Sequence, residues 1–149
     1  GTSGVDVHDY FVQFAVLMEQ TYGYIGSPVT LVAEAEHCIM DAEHLSYMAI
    51  IANELVGNAY QHAFPDKRKG EVRFEFSCSD DDYCMIVSDN GIGLKEMKKG
   101  LGYEIVHALT TRMGGALKLS LEGGTAIEVR VPKLQQRNLV ETESFNKWR

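Results

Sequence analysis

Met48-Ala49-Ile50-Ile51-Ala52-Asn53-Glu54-Leu55-Val56-Gly57-Asn58-Ala59-Tyr60-Gln61-His62-Ala63-Phe64 is the stretch on which the fold of this chain turns. It reads as a helix, and Pro65, which has no N–H with which to continue the ladder, stops it. At roughly 100° per residue, Glu54, Asn58 and His62 drift only about 40° per step and form one polar stripe. Ile51, Ala52, Leu55, Val56, Ala59 and Ala63 fall on the opposite side and are expected in the core. A surface helix ordinarily covers its wet face with long charged side chains. This one has no Lys or Arg there, and instead lines up a carboxylate, an amide and an imidazole. That pattern belongs to a site.

Working outward, Asp41 offers an N-cap, so the helix is expected over Ala42–Phe64. Pro65 to Gly70 is a polar turn. Glu71–Cys78 alternates cleanly, with Val72, Phe74, Phe76 and Cys78 facing one way and Glu71, Arg73, Glu75 and Ser77 the other. Ser79 to Asp82 makes a hairpin loop, and Tyr83–Ser88 is apolar on nearly both faces, as in a central strand. Asp89-Asn90-Gly91-Ile92-Gly93-Leu94 breaks out of it, followed by a charged run from Lys95 to Lys99. Gly100-Leu101-Gly102 leads into a helix whose inner face is expected to carry Ile105, Val106, Leu109 and Met113. Leu117, Leu119 and Leu121 alternate in a strand, Glu122-Gly123-Gly124-Thr125 turns it, and Ile127, Val129 and Val131 alternate in its partner. Upstream, Val5–Tyr22 has helical spacing with Asp6 or Asp9 near its start, and Val29–Ala35 reads as a strand.

The order of elements predicts an α+β fold, a two-layer sandwich with helices on one face of a mixed, mainly antiparallel sheet. Its expected divisions are a tag remnant and linker helix over 1–26, the folded domain over 27–133, and a polar tail over 134–149. With 149 residues, 45% hydrophobic and 23% charged, one globular domain is expected. A net charge of −7 argues against nucleic acid or an anionic membrane as partner, though local amides and lysines can still take a phosphate. Cys38, Cys78 and Cys84 have no metal spacing and an odd count, so free buried thiols in a reducing cytoplasm are expected. No apolar run approaches a membrane span, and direct membrane contact is not expected.

Each glycine pair alone would be only a turn. Together with the polar stripe, however, they flank a helix start, where bare amides and the positive dipole end favour phosphate. Lys95, Lys98 and Lys99 sit just before that start. Asn53 to Ala63 resembles the N box of the superfamily of gyrase, heat-shock-90, histidine-kinase and mismatch-repair ATPases. Asp89 to Leu94 resembles its G1 box, Gly100-Leu101-Gly102 its G2 box, and Gly123-Gly124-Thr125 its last glycine motif. The order and spacing hold from about Val29 to Pro132, and the short lid is most similar to sensor histidine kinases.

The resemblance implies an ATP-binding catalytic domain using ATP and Mg²⁺. Asn58 would place its amide oxygen on the metal, a hard cation that prefers oxygen. Glu54 would be the catalytic carboxylate, acting as base or orienting the nucleophile at the γ-phosphate. Asp89 would accept a hydrogen bond from the exocyclic amine of adenine, with Thr125 supporting it directly or through water. Gly91 and Gly93 would let the backbone approach base and ribose. The amides of Leu101, Gly102 and Tyr103 would hold phosphate beside Gly100, with Lys98 and His62 within reach of it. His37, His44 and His107 carry no motif and are expected to be structural.

Two departures qualify the resemblance. Gln61 stands where family members often carry Lys or Arg, which removes one phosphate-facing charge. Only one helix fits before Val29, so the phosphoacceptor histidine on its dimerisation hairpin lies outside this chain. The implied partners are that histidine domain and a response regulator. An anti-sigma-factor-type serine kinase and a non-catalytic nucleotide-binding or docking module remain open beside the histidine-kinase reading.

Overall fold

The computed structural model describes residues 4–24, 26–65, 68–93 and 102–133; the start of the expected tag remnant and the expected tail lie outside them. In chain order the elements are β1 (Gly4–Asp6), α1 (Val7–Tyr22), β2 (Val29–Ala35), β3 (Ile39–Asp41) and α2 (Ala42–His62), then β4 (Gly70–Cys78), β5 (Asp82–Asp89), α3 (Tyr103–Arg112), β6 (Ala116–Ser120) and β7 (Thr125–Pro132). Five strands form one sheet in the order β2-β4-β5-β7-β6. β2 and β4 run parallel and the other pairs antiparallel. Three helices pack against this mixed, mainly antiparallel sheet, giving the expected α+β sandwich.

Strand register explains why the site sits where it does. One cross-strand row joins Ala33, Phe74, Val87, Ile127 and Leu119, and the next joins Ala35, Phe76, Met85, Val129 and Leu117. Phe74, Phe76, Met85, Val87, Ile127 and Val129 are buried under the helices, so this is the inner face. The third row in the same phase joins Leu31, Val72, Asp89 and Thr125. Period two therefore carries Asp89, a carboxylate, into line with core residues. On the opposite face Arg73 lies 3.2 Å from Glu71, and Arg130 lies 3.4 Å from Glu128, as suits a solvated surface where such pairs contribute little.

Each long helix starts on an aspartate. Asp6 accepts from the Asp9 amide at 3.2 Å and Asp41 from the His44 amide at 3.0 Å. β1 and β3, two three-residue strands with no periodic signal, pair antiparallel with Asp6 opposite Ile39 and Asp41 opposite Gly4, so one short ribbon ties the starts of both helices together. α1 contributes Val7, Phe11, Phe14 and Met18 to the same core as the sheet, with Phe11 against Phe74 and Phe76. At its end the Tyr22 ring stacks on Tyr60, and its hydroxyl covers Gly57, where an added Cβ would come within 2.7 Å of it. The Tyr22 hydroxyl thus fills the space a side chain at position 57 would take.

Two expectations need correction. Cys38 and Cys78 are not free thiols but form a disulfide, with Cα atoms 6.8 Å apart; Cys84 alone of the three is free, and it is buried. The parallel β2–β4 pairing carries Ala35 opposite Phe76, and Glu36 donates to the Phe76 carbonyl at 2.9 Å, so the two chain ends leave the sheet together. In α3 the inner side chains are Tyr103, Val106 and Thr110, continued by Met113, whereas Ile105 is 47% exposed. The stripe begins at Tyr103 and steps by three and four, and Ile105 falls off it. Among the described residues no helix is long and apolar enough to cross a membrane.

Candidate nucleotide-binding site

The C-terminal half of α2, the end of β5, the start of α3 and the start of β7 converge on one cleft. Leu55, Asn58, Ala59 and His62 line it from α2, Val87 and Asp89 from β5, Tyr103 from α3, and Thr125 and Ile127 from β7. With its open mouth included it encloses about 430 Å³. Only about 30 Å³ is open to the centre of a water molecule, so the walls stand close together.

Asp89 is the best-braced group. Its carboxylate accepts from the Gly91 amide at 2.9 Å and from the backbone of Thr125, its partner across the ladder. Burial raises its pKa above the usual 3.8, against the opposing pull of those two amides and the nearby Arg68 charge. The next residue is structural: Asn90 extends the β4–β5 edge, taking the Glu71 amide on its side-chain oxygen at 2.8 Å. Gly91 lies against the end of α2, where a methyl group would strike the Ala63 carbonyl, and Ile92 donates to that same carbonyl at 2.9 Å. Gly93 has φ +77, in the left-handed region that glycine adopts at little cost. The G1-type segment is thereby pinned between the α2 terminus and the β6–β7 turn.

Glu54, outside that lining, reaches the start of α3. Gly102 is the N-cap of α3 with φ +78, and the space beside its Cα is taken by the Glu54 carboxylate. An acidic group at a helix N-terminus is favoured by the dipole, and the first-turn amides there are ones that a helix leaves without internal partners. Of the expected site residues, the structure brings together Asn58, His62, Asp89, Gly93 and Thr125 around the cleft, with Gly91 behind Asp89 and Glu54 at Gly102. Gln61 and His62 are exposed. Lys98, Gly100 and Leu101, with Lys95 and Lys99, lie outside the described residues.

Two contributors belong to no motif role assigned from the sequence. Arg68, in the polar turn, places a positive charge near Asp89. Tyr103 was expected to act through its backbone amide, yet its side chain is 7% exposed, lines the cleft and is hydrogen-bonded to the Asn58 side chain. Its signal was legible, since Tyr103, Val106, Thr110 and Met113 form one helical stripe.

The donor set suits an adenine nucleotide with a hard cation. A carboxylate held by two amides presents an acceptor to an exocyclic amine, and a carboxamide oxygen suits an oxygen-seeking metal.

The sequence matches the family described as histidine kinase-, DNA gyrase B-, and HSP90-like ATPase over residues 45–135. It is 29% identical over 117 residues to Blue-light-activated histidine kinase 2 of Erythrobacter litoralis (strain HTCC2594), covering 74% of this chain and 34% of that protein. It is 28% identical over 117 residues to the sensor histidine kinase PdtaS of Mycobacterium tuberculosis, covering 72% of this chain and 23% of that one. The chain thus spans about a third or less of these curated relatives. Its fold is shared with the blue-light activated histidine kinase EL346 of Erythrobacter litoralis (TM-score 0.81, 24% identity, 90% of this chain and 44% of that one). The ATP binding domain of PrrB from Mycobacterium tuberculosis has it too (TM-score 0.68, 22% identity, 87% and 96%).

Proposed function

This chain belongs to the family of histidine kinase-, DNA gyrase B- and HSP90-like ATPases, and from that membership we propose that it is the catalytic, ATP-binding part of a sensor histidine kinase. The observation that carries the reading is Asp89 itself, a buried-row carboxylate held by two backbone amides at the floor of a cleft shared with Asn58. Such bracing fixes an acceptor aimed at the amine of adenine. Similarity to sensor histidine kinases over most of the chain supports the acceptor class.

In this reading Asn58 holds Mg²⁺ through its side-chain oxygen, and the metal when bound offsets charge on the phosphates. Glu54 lies at the N-terminus of α3, and in this reading the γ-phosphate and the incoming histidine meet beside it. A ring nitrogen of that histidine forms the N–P bond while the bond from γ-phosphorus to the bridging oxygen breaks and ADP leaves. Glu54 orients the imidazole by accepting a hydrogen bond from its other ring nitrogen and takes that proton as the N–P bond forms. The acceptor histidine lies on a separate dimerisation domain, and an aspartate of a response regulator takes the phosphoryl group next. His62 and Lys98 would assist at the phosphates.

Calorimetric titration of Mg-ATP into this chain and into its Asp89→Asn variant tests the nucleotide site. Binding is expected in the first and its loss in the second; no heat from the unaltered chain would overturn the reading. Joined to its acceptor domain, the protein should form an acid-labile phosphoryl adduct, whereas an acid-stable one would assign it to serine phosphorylation.

A further inference from the structure

We propose that Tyr103 is the positioning residue of this site, its hydroxyl turning the Asn58 carboxamide so that the oxygen faces the cation. The inference rests on the reading of Asn58 as the metal ligand given above. Tyr103 opens α3, is 7% exposed, and faces Asn58 of α2 across the cleft, where the two side chains share a hydrogen bond. The phenol also stands close enough to Asp89 to feel its charge.

An asparagine side chain has two nearly isosteric ends with opposite chemistry. Its oxygen can bind a cation, while its NH₂ group can only donate. A neighbour that takes one N–H leaves the oxygen pointing the other way, and the phenol oxygen can do that. Ring placement is firm, because Tyr103 shares its helix face with Val106 and Met113, both fully buried. Partners that orient a metal ligand commonly contribute 10–100-fold to metal affinity, although they never touch the metal.

The readout is the ratio of affinities for a non-hydrolysable ATP analogue in Mg²⁺ and in EDTA, measured by calorimetry on this chain. Tyr103→Phe keeps the ring and removes only the hydroxyl. It is expected to lower that ratio by about tenfold, with the loss falling mainly on the affinity in Mg²⁺. Asn58→Ala should abolish the metal's effect, and adding Tyr103→Phe to it should change nothing further, as a double-mutant cycle requires. An unaltered ratio in Tyr103→Phe overturns the proposal. So does an equal fall in both affinities, which would assign the residue to packing, and so does a further loss in the Asn58→Ala background. If the wild-type chain binds the analogue with no help from Mg²⁺, the metal reading of Asn58 fails and this inference with it. That failure shows in the wild type alone, so the two are told apart.

Discussion

Gly124 lies directly over the backbone of Asp89: a methyl group on its Cα would strike the Asp89 carbonyl oxygen, and its φ of +134 is one that L side chains rarely adopt. The neighbouring Gly123 also has a positive φ, of +69, but opens onto empty space. Gly124→Ala should therefore cost more than the conformational strain of about 1–3 kcal/mol, and should displace Asp89. Gly123→Ala should cost only about 1–2 kcal/mol and leave nucleotide affinity intact. Thermal melts paired with ATP titrations separate the two; equal loss of binding in both would refute the contact.

Base selection should follow from the Asp89 carboxylate. Guanine presents a carbonyl where adenine presents an amine, so two acceptors would face each other, at a cost of roughly 1–3 kcal/mol. ATP is expected to bind about ten- to a hundredfold more tightly than GTP, as competition titrations can measure. Comparable affinities would show that Asp89 does not read the base.

The raised pKa of Asp89 has a definite sign. The folded state holds that proton more tightly than the unfolded chain, so the associated stability is fully present below 3.8 and is lost as pH rises through the folded value. At neutral pH the buried carboxylate therefore detracts from stability, and Asp89→Asn should melt higher than the wild type while failing to bind ATP. ATP affinity should fall as pH is lowered through that same raised value. A melting temperature for Asp89→Asn below that of the wild type at neutral pH would contradict this.

Phe11 is 1% exposed and packs against Phe14, Phe74 and Phe76, which makes α1 part of the core. Phe11→Ala should lower stability by about 3–5 kcal/mol in denaturant titration. A much smaller effect would mean that α1 is only loosely attached.

Gln61 is exposed on the last turn of α2, one residue before His62. Gln61→Lys should tighten Mg-ATP binding up to about fivefold, the scale of an exposed charge pair, and the gain should shrink with added salt. A salt-independent change would point away from a phosphate contact.

The elements that were legible are those with a periodic signal bounded by a stop. α2 has Asp41 at one end and Pro65 at the other, and β4 alternates so cleanly that its inner face could be named residue by residue. Ile105 misled because hydrophobicity alone does not fix phase; the stripe starts one residue after Gly102, where the cap sets the first turn. β1 and β3 were too short to carry a period, and they form only because each finds the other. The Cys38–Cys78 pairing was hidden because it depends on which strands run parallel, a tertiary fact spanning 40 residues. Tyr103 escaped for a different reason: its neighbours' glycine pattern drew attention to backbone amides and away from its ring.

The β1–β3 ribbon has one more consequence, for traffic in and out of the molecule. It fastens Gly4 beside Asp41, the capping residue at the far end of the helix that carries Asn58. With 1.5 Å of rise per residue, Asn58 stands roughly 24 Å along α2 from that end. Gly4 therefore stands at the end of α2 opposite the one that lines the cleft, so the chain enters the domain at one pole and the candidate site lies toward the other.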